Sequence, residues 1–172
     1  EPLWSRGLGD VYKRQNWLSS YSLYPQALDQ WYRDNIASDY PEIRTEISAL
    51  LQVEAELQEI VQLVGSDALP IDQQLTLEVA RMIREFFLQQ NAFHDVDTYS
   101  NLKLQYTMAR AILSFQDEAK KAIAGGAELE SVVNVQARTD IMRGRFESDY
   151  EERIAALVSD MGKQIAATME GN

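Results

Sequence analysis

An all-α fold, a bundle of about six helices, is what this sequence of 172 residues predicts. Three observations carry the prediction. Apolar residues recur at three- and four-residue steps through successive segments, the spacing that puts them on one face of a helix. Prolines and glycines stand where those segments begin and end. After Ser20 no stretch alternates apolar and polar residues as a half-buried strand would.

The segment from Pro25 to about residue 36 reads as the first helix, because a proline in the first turn has no N–H to leave unsatisfied. Asp39 and Pro41 open a second, long helix whose stripe is Ile43, Ile47, Leu50, Leu57, Ile60 and Val64, and Gly65 closes it. A short connector, GSDALP, leads through Pro70 to a third helix reaching about Gln90, with Leu75, Val79, Met82, Ile83, Phe86 and Phe87 on one face. After NAFHDVDTYS comes a fourth helix carrying Leu102, Tyr106, Ala109 and Leu113, stopped by Gly125 and Gly126. A short helix is expected over residues 128–133. The last runs from Glu147 to about Met169, with Tyr150, Ile154, Leu157, Val158, Met161 and Ile165 in register.

Residues 1–15 have no such period. Their tail, GLGDVYKRQ, resembles translated adaptor read-through, so they are expected to be a non-native extension outside the fold. The helical domain is expected to occupy residues 25–172.

Composition narrows the function. The 16 Lys and Arg against 27 Asp and Glu leave a net charge of −11, which repels a phosphate backbone, so nucleic acid is not an expected partner. No run is long and apolar enough to span a bilayer, so direct membrane insertion is not expected either. With no cysteine there are no disulfides or thiolate metal sites.

Hydrolytic chemistry finds no foothold. A phosphate-cradling loop needs glycines followed by Lys and Ser or Thr. The nearest fragment, Gly162, Lys163 and Gln164, lacks the upstream glycine and the hydroxyl, and falls within a predicted helix. The single histidine rules out a two-histidine metal motif. His94, Asp95 and Asp97 could in principle face a cation, but without further ligands they read as a solvated loop. No sharp nucleophile turn is present. On residue chemistry alone the chain reads as an interaction domain.

Two long stretches point further: EAELQEIVQLVGSDALP at residues 54–70 and LEVARMIREFFLQQNAFHDVDTYSNLKLQYTM at residues 77–108. Both resemble the C-terminal domain of the catalytic A subunit of V-type and archaeal-type rotary ATPases. NWLSSYSLY, residues 16–24, resembles the passage leading into those helices from the nucleotide-binding domain. The resemblance is dense to Met108 and thins beyond it. One departure falls inside the motif: many relatives have cysteine where this chain has Ser100, a change that keeps a small, weakly polar side chain.

The resemblance implies a subunit that hydrolyses or synthesises ATP with Mg²⁺, coupled to H⁺ or Na⁺ transport. It would sit in a hexameric ring with non-catalytic B subunits, against a central stalk, in the cytoplasmic soluble sector peripheral to the membrane. The family's phosphate-binding loop and catalytic groups precede the equivalent of Asn16, so this fragment is expected to bind no ATP, ADP or Mg²⁺ by itself and to be inactive alone. Carried over by position, Phe93 and Tyr99 would pack on the adenine ring, with Gln90 and Ala92 as weaker contributors to the pocket wall. Two flanking aromatics suit adenine because stacking needs no base-specific hydrogen bond. The alternative is that both rings are core aromatics.

The hinge Gly65, Ser66, Asp67, Ala68, Leu69 and Pro70 would match the lever that contacts the stalk, with Leu69 as its apolar contact and Asp67 facing basic residues. Otherwise it is an ordinary helix connector. A free-standing interaction module built on the same bundle is the competing reading of the whole chain. The reading frame upstream of Asn16 would separate the two, through a phosphate-binding loop or a start codon.

Overall fold

The computed structural model describes residues 24–90, 93, 95, 99–147 and 149–170. Residues 1–15, and all but Tyr24 of the linker expected at 16–24, lie outside the described residues.

Among the described residues every regular element is helical, with seven α-helices: α1 (Pro25–Asn35), α2 (Tyr40–Val64), α3 (Ile71–Met82), α4 (Leu102–Ala124), α5 (Leu129–Val133), α6 (Gln136–Gly144) and α7 (Tyr150–Glu170). The expected six are all present. The additional one, α6, went unpredicted because its 9 residues, QARTDIMRG, offer few apolar positions. It packs along α7, where even a Cβ at Gly144 would be in van der Waals contact with Ile154 and Leu157, at 3.4 Å.

α4 is the central strut and packs most extensively on α7. Its sequence suggested a stripe through Leu102 and Tyr106, yet both are only half-buried. The deepest positions are Ile112, Phe115, Ala119 and Ala122, joined by Leu104, Met108 and Ala111. α4 is covered over a wide arc, by α3 and α2 on one side and α5 to α7 on the other. A helix enclosed by several neighbours buries more than one stripe.

The third helix departs most from expectation. Its α-helical part stops at Met82, and Ile83–Leu88 continues as a π-helix whose wider turn is seen in the bond from Gln89 N–H to the Arg84 carbonyl, 2.8 Å. The predicted stripe of Leu75, Val79, Met82, Ile83 and Phe86 is buried nevertheless, while Phe87 is half-buried.

Two buried charges tie the layers together. Glu54, among the apolar residues of α2, forms an ion pair with Arg84 of the π-helical turn. Arg138 of α6 donates to Glu78 of α3 at 2.8 Å and to the Val133 carbonyl at 2.7 Å, with its guanidinium over the Phe115 ring. Each pairing supplies the partner without which a buried charge would cost several kcal/mol (about 3–5).

Candidate functional site at the two ends of α3

The first end of α3 is the hinge. α2 stops at Gly65, whose φ of 85° suits glycine and few other residues. Ser66–Ala68 form one turn of 3₁₀ helix, closed by Leu69 N–H on the Ser66 carbonyl at 3.1 Å. Ser66 Oγ lies 3.0 Å from an Asp67 carboxylate oxygen, and Gln74 reaches back to the Leu69 carbonyl at 2.8 Å. Gly65, Ser66, Asp67, Ala68 and Pro70 are all exposed.

Leu69 is different, and here the expectation is corrected. It is only 6% exposed, so it faces inward and cannot be the tip's apolar contact. Its backbone is tied at both ends, the N–H to the Ser66 carbonyl and the carbonyl to the Gln74 amide, which holds the residue in that buried position. The apolar surface at this end comes from the helices instead. Leu63 is 85% exposed and Val64 60%, with Ile60 and Ile71 also exposed nearby in sequence. The predicted stripe of α2 thus splits. Ile43, Ile47 and Leu57 are buried and Leu50 is half-buried, with Leu51, outside the predicted stripe, taking the deeper place, whereas Ile60 and Val64 lie open. Leu63 carried a sequence signal, being apolar yet off the stripe.

At the far end of α3 lies the connector to α4. Phe93 is 95% and Tyr99 86% exposed, which removes both from the hydrophobic core. Gln90 is exposed and borders a small recess with Phe86, Ser100, Leu104 and Arg145. Ala92, His94 and Asp97 lie outside the described residues, and among the described residues no three His, Asp or Glu side chains gather as a metal site would need.

Both margins of the connector are anchored. On the near side, Arg145 Nη1 donates to the carbonyls of Phe86 at 2.8 Å and Gln89 at 3.1 Å. The Phe86 carbonyl is among the last of the π-helical turn, which lack intrahelical partners and lie at the negative end of the helix dipole, and Gln89 is the extended residue that caps it. On the far side, Asn101 caps α4 by accepting from Leu104 N–H at 2.7 Å, and the Tyr150 hydroxyl reaches the same Asn101 oxygen at 3.2 Å. Neither Arg145 nor Tyr150 was singled out for this role, since their partners are dozens of residues away in sequence.

Beside the connector, an apolar groove of about 190 Å³ opens between α2, the π-helical turn and α4, lined by Tyr40, Ile43, Ile47, Leu51, Phe87 and Leu88 among others. Phe93 and Tyr99 do not line it. At its rim, Tyr40 stacks between Tyr32 and Tyr106, with centroids 4.8 and 6.4 Å away. The Tyr106 hydroxyl donates to Asp39 at 2.9 Å, and Arg110 pairs with the other oxygen at 2.8 Å. Burial, then the hydrogen bond to Asp39 and that residue's negative charge, hold the Tyr106 phenol above its ordinary value.

The sequence model of the C-terminal domain of V and A type ATP synthase matches residues 29–133. The chain belongs to that family. The A subunit of the A-type ATP synthase of Methanosarcina mazei is 48% identical over 152 residues, which are 88% of this chain and 26% of that protein. Its counterpart in Natronomonas pharaonis is 52% identical over 150 residues, 87% of this chain and again 26% of the relative. The chain therefore spans about a quarter of the length of the curated relatives it matches. The V and A type domain match takes in both the hinge and the connector, and ends before Arg145 and Tyr150. Among the described residues no helix is long and apolar enough to cross a membrane.

Proposed function

We propose that the chain serves as the C-terminal domain of the catalytic subunit of an ATP synthase that couples ATP turnover to ion transport. In this reading Phe93 and Tyr99 complete the adenine pocket, and the α2–α3 tip passes nucleotide-driven closure to the central stalk, within a ring shared with B subunits. The observation that carries the reading is the family match, joined to two aromatic side chains held outside the core on an anchored connector. An exposed ring can stack on a base, while a core ring cannot without unfolding its surroundings.

For the stalk contact, the support is the uncovered apolar end of α2. Ile60, Leu63, Val64 and Ile71, all exposed, flank the exposed Asp67 in sequence, a combination suited to a partner helix with apolar and basic residues. α2 has 25 residues, about 37 Å at 1.5 Å per residue, so a small rotation at the connector end becomes a larger displacement at the tip. We assign no Mg²⁺ ligand and no catalytic group to this chain, and expect it to release no phosphate from ATP alone.

The test uses the complete subunit in its complex. Phe93→Ala should weaken nucleotide binding about 5- to 150-fold, the equivalent of ~1–3 kcal/mol of stacking, mainly in KM. Unchanged KM in both Phe93→Ala and Tyr99→Ala removes the adenine role. Replacing Leu63 and Val64 by Ser should keep much of the ATP hydrolysis while reducing ions pumped per ATP in vesicles. A proportional fall in both, or no change, makes the hinge an ordinary connector.

A further inference from the structure

We propose that the corner between α6 and α7 is the positioning device of the connector, with Arg145 fixing its start and Tyr150 its end so that Phe93 and Tyr99 meet the adenine in one arrangement. The proposal rests on the adenine reading above and adds residues to it that lie outside the family-model match.

The geometry is specific. Arg145 follows α6 directly, and its one Nη1 atom bridges the Phe86 and Gln89 carbonyls, the last turn before the connector. Its guanidinium lies over the Phe146 ring, 4.7 Å from the centroid, which restricts the side chain. Hydrogen bonds from a cation are roughly twice as strong as neutral ones. Five residues on, Tyr150 opens α7 and reaches Asn101 Oδ1, the atom that caps α4. Its hydroxyl has Glu151 as an alternative acceptor at 3.3 Å, so it is the weaker of the two anchors. The same recess joins Gln90, Ser100 and Arg145, so both margins of the connector meet the corner at one place.

A loop with free ends samples many arrangements, and ordering its rings on a ligand then weakens binding. Holding the ends beforehand removes part of that cost. The corner does so from a separate layer, because α6 and α7 pack on each other and α7 on α4. Since Arg145 and Tyr150 bond the margins of the connector, they act on the nucleotide through Phe93 and Tyr99.

The experiment compares Arg145→Met, Arg145→Lys and Tyr150→Phe in the complete subunit within its complex, reading amide exchange over residues 90–101 together with KM and kcat for ATP. Arg145→Met should speed exchange across the connector but not at Val79 to Met82, and raise KM about 3- to 10-fold with kcat largely kept. Arg145→Lys, still cationic, should recover part of both effects, and Tyr150→Phe should show a smaller version of them. Unchanged connector exchange in Arg145→Met overturns the proposal. So does faster exchange with unchanged KM. If Phe93→Ala in the same complex does raise KM, the adenine reading stands and only the clamp is dispensable; if it too leaves KM unchanged, the adenine reading has failed. Should Arg145→Met not assemble, the ordering of Arg145→Lys and Tyr150→Phe in both readouts decides, and normal exchange and KM in both overturns the clamp.

Discussion

The hinge and the connector lie at opposite ends of the same helix, α3, and are held in place by opposite means. The hinge is self-contained. A glycine with positive φ, one 3₁₀ turn and the bond from Gln74 to the Leu69 carbonyl all come from residues 61–74, and Leu69 itself is the plug. The connector borrows its anchors, from Arg145 and Tyr150 in the last third of the chain. The neighbouring end of α2 is likewise held from outside, through the bond between Tyr106 and Asp39. A locally determined turn keeps its shape whatever the rest of the domain does, which would suit the stalk contact proposed for this tip. An anchored connector can be tightened or released by the layer that holds it.

The largest effect expected is at the plug. Leu69→Ala should lower stability by ~2–5 kcal/mol, as for other buried leucines, whereas Leu63→Ala should change it by less than about 0.5 kcal/mol. Urea unfolding of the chain followed by helical circular dichroism compares them. Equal effects from the two substitutions would erase the distinction between a structural Leu69 and a surface Leu63.

A smaller effect is expected at the connector's far margin. Asn101→Ala removes the cap of α4 and the partner of Tyr150 together, and should cost about 1 kcal/mol, within the ~0.5–2 kcal/mol typical of lost caps. Amide exchange should accelerate around residues 99–104 while the hinge stays unchanged. Faster exchange at Ser66 to Leu69 would mean that the two ends of α3 are not independent.

The smallest is a matter of pH. The Tyr106 phenol titrates above its ordinary value of 10.0, so the folded form favours the protonated state. Its contribution is complete below that value and is lost as pH rises from there through the folded-state value. Tyr106→Phe should lower neutral stability by about 1 kcal/mol and make the alkaline decline shallower. An alkaline profile unchanged by the substitution would show that Asp39 does not hold the phenol.

Much of this was legible before the structure. Period and punctuation placed α1, α2, α4, α5 and α7 within a few residues, because caps and stripes are local properties of the chain. Gly65 marked the end of α2, where a positive φ was needed. The resemblance singled out Phe93 and Tyr99, although nothing in their own spacing tells an exposed aromatic from a buried one. The sequence by itself determined that the chain folds as helices, where most of them start and stop, and that its long motifs are those of this ATP synthase domain.

Tertiary structure alone decided which faces are covered. Ile60 and Val64 continue the stripe of α2 yet stand open, while Leu69, in a loop, is buried. It also decided that α6 is a helix, that Ile83–Leu88 widens into a π-helical turn, and that Arg145 meets the Phe86 and Gln89 carbonyls. The physical reason is common to all of these. Helix formation depends on residues three and four apart, whereas burial and long-range hydrogen bonds depend on where the packing of other helices delivers their partners.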